Sequence, residues 1–148
     1  MADKVLITPK SFKLYKDKAY SLLRDKGYEI IENDLGRTMT EDEILEYAKE
    51  NVVGIIIGVD PLPAAVLEQL KDLRAISKYG VGMDNIALDK AAELGIKVKN
   101  APGTNSVSVA ELAISLMFAM ARSIPFHSEN VKNGGWDRIR GFELTGKK

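Results

Sequence analysis

The sequence contains no cysteine and a single histidine, His127. Without cysteine the chain cannot form disulfides, thiolate nucleophiles, cysteine-based zinc sites or iron–sulfur clusters. One histidine also argues against a histidine-rich metal site and against a serine–histidine relay. We therefore expect no bound metal, and we assign His127 to the surface because it lies in a polar segment.

The chain also has no excess charge of either sign, since it contains 21 basic and 21 acidic residues. A neutral balance creates no positive field that would attract nucleic acid or an anionic membrane. The longest apolar stretch, residues 109–121, contains Glu111 and Ser115 and is too short for a bilayer core of about 30 Å. Residues 1–7 lack the pattern of a signal peptide. These absences predict a cytoplasmic protein that binds neither nucleic acid nor membrane.

What the sequence does contain is a repeated alternation of short apolar strands and helices. The clearest strand, at residues 52–59, is rich in β-branched residues and apolar on both faces, as a central parallel strand covered by two helical layers requires. Further strands are predicted at residues 4–8, 28–32, 74–78 and 96–100, with helices at 12–23, 40–50, 89–94 and directly after Pro63. Five such alternations favour an α/β fold, a flavodoxin-like three-layer sandwich whose five parallel strands run in the order 2-1-3-4-5.

Two short patterns predict where helices begin. Residues 40–43 and residues 108–111 each match a capping box, in which a hydroxyl and a glutamate satisfy each other's free backbone donors. The second pattern starts a long apolar helix that we expect to end near Pro125. We therefore divide the chain into a flavodoxin-like lobe at residues 1–105 and a long helix with its tail at residues 106–148.

In an open α/β sheet, ligands bind beyond the carboxyl ends of the strands. Four loops qualify as candidate sites: residues 8–11, 58–61, 78–85 and 100–106. In the third loop, Gly80 and Gly82 flank Val81, so backbone N–H groups can face a carboxylate or phosphate. The loop is not a dinucleotide fingerprint, because Asn85 stands where a third glycine is required. An anion-binding nest and an ordinary tight turn fit this spacing equally well.

The fourth loop joins the last strand to the long helix, and we expect it to lie next to the third loop. Free N–H groups at a helix N-terminus favour an anion. Turn formation, with Ser108 capping the helix, is the alternative, and for most residues of this loop it is the favoured role.

Two segments, residues 77–86 and 95–111, resemble the amino-terminal half of D-2-hydroxyacid dehydrogenases of the phosphoglycerate dehydrogenase group. Residues 54–62 and the helix that ends at Arg122 fit the same family. The resemblance implies an oxidoreductase that interconverts 2-oxo and 2-hydroxy acids with NAD or NADP, bound between a flavodoxin-like lobe and a Rossmann lobe. The chain resembles only the first lobe. We therefore expect no catalytic residue here, no tight cofactor binding and no turnover by this chain alone.

The resemblance also implies roles for residues of the third loop. The backbone amides around Gly80, Val81 and Gly82 would receive the substrate carboxylate. Lys78 and Tyr79 would line the substrate pocket. The implied partner is a small 2-oxo or 2-hydroxy acid.

The resemblance assigns two more positions and shows one departure. Asn105 would contact the substrate near the nicotinamide, whereas Val81 and Ser106 would touch the cofactor. In that family, phosphoglycerate-specific members commonly have an arginine near the end of the third strand, where this sequence has Gly58. This departure argues against phosphoglycerate itself as the substrate.

The long helix, predicted at residues 108–123, needs a cover for its apolar surface. In the intact family it crosses toward the cofactor lobe and takes part in dimer contacts. We expect it either to fold back onto the sheet, or to form a homodimer by contact or exchange with a second copy.

Two other flavodoxin-like functions are weaker alternatives. A protein that binds FMN needs a phosphate cradle after the first strand, where Thr8 and Ser11 supply only two hydroxyls. A signalling receiver domain needs carboxylates at the ends of the first and third strands to hold magnesium. Asp60 is suitably placed for that role, but Asp3 lies at the wrong end of its strand.

Overall fold

The structure is a computed structural model that describes residues 2–147. Its strands are β1 (Lys4–Ile7), β2 (Glu29–Glu32), β3 (Val52–Ile57), β4 (Ala75–Lys78) and β5 (Lys97–Lys99). Its α-helices are α1 (Lys16–Arg24), α2 (Glu41–Tyr47), α3 (Ala64–Leu67), α4 (Leu88–Glu93), α5 (Ser106–Ala121) and α6 (Ile124–Lys132). A 3-10 helix, Lys10–Tyr15, lies between β1 and α1.

The five strands form one parallel sheet in the order β2-β1-β3-β4-β5. This order confirms the predicted flavodoxin-like α/β fold. Leu6 of β1 pairs with Ile55 of β3, and Ile55 pairs with Ile76 of β4. All three side chains are buried, so the β-branched run at the centre of the sheet forms the middle of the core.

Helices cover both faces of the sheet. On one face, α2, α3 and α4 contribute to a single apolar cluster that includes Leu6 and Ile55. On the other face, Tyr20 of α1 packs with Val5 and Ile7. Successive residues of β1 therefore point to opposite helical layers, because side chains alternate along a strand.

The first predicted capping box is confirmed and the second is wrong. The Thr40 hydroxyl accepts the amide hydrogen of Glu43, and the Glu43 carboxylate accepts the amide hydrogen of Thr40 at 2.8 Å. Helix α5 instead begins two residues before Ser108, with Asn105 as the N-cap. The Asn105 carbonyl accepts the amide hydrogen of Val109 at 2.9 Å, so Ser108 already lies inside the first turn and cannot cap it.

The long helix, predicted at residues 108–123 with its end near Pro125, ends two residues before residue 123. It ends at Ala121, and α6 begins after Ser123, which has a left-handed φ of 48°. Pro125 lies in the first turn of α6, where its missing N–H group costs no helical hydrogen bond. His127 is consequently a helical residue. Helix α2 also ends at Tyr47, three residues before its predicted end.

The chain divides into two compact units, residues 1–104 and residues 105–148. The first unit contains the sheet and α1 to α4, and the second contains α5 and α6. Apolar side chains of α5, including Leu112 and Leu116, are exposed. Helix α5 thus belongs to a different unit from the sheet, and the fold-back and homodimer alternatives both stay predictions.

The longest of the helices of residues 2–147 is α5, with 16 residues. Taken singly, none of these helices combines the length and the apolar composition that a membrane crossing requires. Helices α5 and α6 meet those two criteria only as a pair, with a bend of 64° between them.

Candidate functional site

Lys78 ends β4 and connects two loops. It is 8% exposed, and its ammonium donates to the carbonyl of Gly58 and, at 2.7 Å, to Oδ1 of Asn85. Nδ2 of Asn85 donates in turn to the carbonyl of Asp60 at 2.6 Å. Burial lowers the pKa of Lys78, and the carboxylates of Asp60 and Asp84 oppose this shift. Lys78 therefore ties the loop after β3 to the loop after β4 and places a buried amine between them.

The glycine loop, residues 80–82, follows Lys78 directly. Gly80 has a φ of 142°, which residues with a side chain rarely adopt. Its carbonyl accepts the amide hydrogen of Ala101 at 3.0 Å, and the Val81 carbonyl accepts from Nδ2 of Asn100 at 2.8 Å. The predicted proximity of the third and fourth loops is therefore confirmed.

The glycine loop leaves two backbone donors unused. Among the hydrogen bonds of residues 2–147, none has the amide N–H of Val81 or Gly82 as its donor. The next residues form an ordinary turn, in which the amide of Ile86 donates to the carbonyl of Met83 at 3.0 Å. A tight turn therefore follows two amides that have no hydrogen-bond acceptor among residues 2–147, and the anion-binding nest stays a prediction.

The remaining predicted site residues occupy separate places. Tyr79 lines a cleft beside the glycine loop. Asn105 is the N-cap of α5 without a side-chain capping bond, and Ser106 is the first residue of that helix. Both belong to the second unit. The roles assigned to all of these residues in binding substrate or cofactor stay predictions.

A cleft of about 630 Å³ lies at the carboxyl edge of the sheet. It is lined by residues 8–11, 37–38 and 58–60 together with Leu14 and Tyr79. The loops after β1 and β3 are two of the four candidate loops, whereas the loop after β2 was not predicted to line a site. That loop carried no glycine spacing or motif that could have marked it.

A buried hydrogen-bond network around Asp60 supports this cleft. Asp60 is 2% exposed, and its two carboxylate oxygens accept from the hydroxyl of Thr8 and, at 2.8 Å, from the amide of Met39. The Thr8 hydroxyl also accepts from the amide of Gly58 at 3.2 Å. Nδ2 of Asn33 donates to the Thr8 carbonyl at 3.0 Å. Asp60 therefore holds the ends of β1 and β3 together, because its two oxygens bind one group from each neighbouring loop.

This use of Asp60 argues against the receiver alternative. Both of its oxygens already accept hydrogen bonds, and Asp3 lies beside Arg74 at 3.5 Å rather than near Asp60. Across residues 2–147, no group of three potential ligand side chains is arranged to hold a metal ion.

Arg37 lines the cleft with its charge already paired. Its guanidinium donates to both carboxylate oxygens of Glu43, at 2.6 and 2.9 Å. These bonds, with the backbone N–H of Thr40, lower the pKa of Glu43 to about 2. Lys10, by contrast, is exposed at the cleft and has no ion pair with any residue that the structure describes.

Comparison with known proteins gives consistent matches over most of the chain. Residues 5–136 match the family described as D-isomer specific 2-hydroxyacid dehydrogenase, catalytic domain. The D-3-phosphoglycerate dehydrogenase of Methanocaldococcus jannaschii is 42% identical over 118 residues, which cover 78% of this chain and 22% of that protein. The hydroxypyruvate reductase of Thermotoga maritima is 40% identical over 111 residues, which cover 74% of this chain and 36% of that protein.

Solved structures agree with the sequence matches. The apo-structure of D-lactate dehydrogenase from Escherichia coli superimposes with a TM-score of 0.72 at 28% identity. The superposition covers 97% of this chain and 46% of that one. The chain thus spans less than half the length of the proteins that it matches.

Proposed function

The chain belongs to the D-isomer specific 2-hydroxyacid dehydrogenase family, and we propose that it forms the substrate-binding lobe of an NAD- or NADP-dependent enzyme. The proposed reaction interconverts a small 2-oxo acid and the corresponding 2-hydroxy acid. The observation that carries this proposal is the pair of unused amides at Val81 and Gly82. They follow a parallel strand at its carboxyl end, which is where ligands bind in this class of fold.

The substrate carboxylate would accept hydrogen bonds from these two amides. Lys78 supports them indirectly, because its bonds to Asn85 and Gly58 tie their loop to the loop after β3. The positive charge of its ammonium also favours an anion nearby. Tyr79 would contact the remainder of the substrate from the wall of the adjoining cleft.

The described residues do not fit a dinucleotide-binding turn. Such a turn needs a third glycine where Asn85 stands, and the Asn85 side chain is itself part of the loop network. We propose that the cofactor binds to a further lobe, with Val81 and Ser106 at the edge of its site and Asn105 near the nicotinamide. We assign no catalytic residue to this chain and expect no turnover from it alone.

Pyruvate is expected to shift the backbone amide NMR signals of Val81 and Gly82 at about millimolar concentrations. Methyl pyruvate is the matched control, because it has the same carbon skeleton without the negative charge, and it should leave these signals in place. NADH and FMN should bind weakly or not at all. If pyruvate leaves the NMR signals of both amides unchanged, or if FMN binds tightly, the proposed function is contradicted.

We further propose that the chain forms a homodimer through α5. A cluster of exposed apolar side chains on one helix is typical of an interaction surface. Leu112→Glu should shift the sedimentation coefficient from that of a dimer to that of a monomer, since a buried charge opposes association. Leu22→Glu is the matched control, because Leu22 on α1 is 58% exposed and Leu112 is 60% exposed. Equal effects of the two variants would exclude α5 as the interface.

A further inference from the structure

The cleft occupies the switch point of the sheet. In the order β2-β1-β3-β4-β5, the chain leaves β1 toward one edge and later returns to its other side at β3. The loops that follow these two strands diverge there and leave a crevice, which is the usual ligand position in such sheets. Tyr79 lines the crevice and immediately precedes Gly80, so the crevice adjoins the proposed carboxylate site.

The walls of the cleft are suited to a carbon chain. Val59 is 75% exposed and Leu14 is 79% exposed, although both are apolar. Gly58 adds no side chain, and a Cβ atom there would lie 3.3 Å from Oδ2 of Asp60 and 3.4 Å from the ring of Pro9. A side chain at this position would therefore be crowded by its own neighbours. A cleft of about 630 Å³ exceeds what a three-carbon acid would fill.

Lys10 supplies the cleft with a positive charge that no ion pair among residues 2–147 compensates. The two other cations near it are engaged, because Arg37 is paired with Glu43 and Lys78 lies in the field of the Asp60 carboxylate. One remaining ammonium matches one negative charge. This balance favours a carboxylate over a phosphate group, which carries more charge than a single lysine neutralises.

We propose that Lys10 recognises the distal carboxylate of a dicarboxylic 2-oxo acid. The 2-oxo end lies at the amides of Val81 and Gly82, and the carbon chain runs past Tyr79 and Val59. This assignment rests on the proposed function, since it extends the same substrate site. It makes Lys10 a specificity-determining residue and leaves the glycine loop to bind the group that all substrates share.

The test compares two six-carbon acids, 2-oxoadipate and 2-oxohexanoate, which differ in whether the far end carries a carboxylate. Each is titrated into the full chain while the amide signals of Leu14, Val59 and Gly82 are recorded. We expect 2-oxoadipate to bind about threefold to fivefold more tightly, which is the range for one exposed ion pair. Lys10→Gln should abolish this preference and leave the affinity for 2-oxohexanoate unchanged.

Lys26→Gln is the matched control, because it removes the same charge from an exposed turn before β2 and should preserve the preference. Equal affinity of the unaltered chain for both acids would overturn the proposal, as would a loss of preference in both variants. If Gly82 responds to both acids without a preference, only the role of Lys10 fails. If Gly82 responds to neither acid, the proposed function fails with it.

Discussion

Replacing Asp60 with alanine is expected to lower the free energy of unfolding by about 3 kcal/mol. The variant leaves the Thr8 hydroxyl and the Met39 amide without their buried acceptor. It also removes a carboxylate that favours the charged form of Lys78. Because Asp60 is 2% exposed, water cannot replace these interactions without opening the ends of β1 and β3.

Urea denaturation of the Asp60→Ala variant measures this loss directly. Asp25→Ala is the matched control, since Asp25 is exposed in the turn after α1 and its carboxylate has no hydrogen bond or ion pair among residues 2–147. The control should change stability by less than about 0.5 kcal/mol. A similar small change for Asp60→Ala would show that the network does not hold the two strand ends together.

Replacing Gly80 with alanine is expected to cost about 2 kcal/mol of stability and to weaken pyruvate binding about tenfold or more. The cause is the backbone and not lack of space, because the φ is 142° and a Cβ atom would meet only Lys78 Cε, at 3.6 Å. Relief of the strain requires a change of φ. That change reorients the following amides of Val81 and Gly82, which the proposed function assigns to the substrate carboxylate.

Gly82→Ala is the control variant in the same loop. It adds the same Cβ atom without imposing backbone strain, so it separates the effect of strain from the effect of crowding. Gly82 lies outside the left-handed region, and its Cβ atom would meet only the mobile carboxylate of Asp84, at 3.3 Å. We expect this variant to lose less than about 1 kcal/mol in urea denaturation. If Gly80→Ala matches it in stability and binds pyruvate as the unaltered chain does, the φ of Gly80 does not organise the nest.

Local sequence patterns were sufficient to predict those elements whose structure depends only on interactions between residues close together in the chain. The β-branched run at residues 52–59 predicted the central strand, and the Thr40 capping box predicted the start of α2. Both depend on residues within a few positions of each other. The second capping box failed because its Ser-x-x-Glu pattern occurs inside a helix that begins two residues earlier. Pro125 was misleading for a related reason, since proline is compatible both with the end of one helix and with the first turn of the next.

The site was predicted less completely than the fold. The position of Gly80 and Gly82 at the site and their proximity to the loop after β5 were predicted from a rule. According to that rule, the carboxyl ends of parallel strands lie at one edge of the sheet. The Asp60 network did not follow, because its partner Thr8 lies 52 residues away. The position of Arg37 in the wall of the cleft was not predicted either, because no neighbouring motif indicates it.

The sequence by itself determined the strand order, the class of fold, the family and the position of the glycine loop. The strand order, the fold class and the glycine loop depend on periodicity, on connection rules and on turn chemistry, whereas the family rests on the resemblance of residues 77–86 and 95–111. Only the tertiary structure decided that Lys78 supports the loops, that Asp60 is used internally and that Lys10 has no ion pair with a described residue. A charged group is free or engaged according to which distant groups the fold brings within hydrogen-bonding range, and local sequence carries no record of those distances.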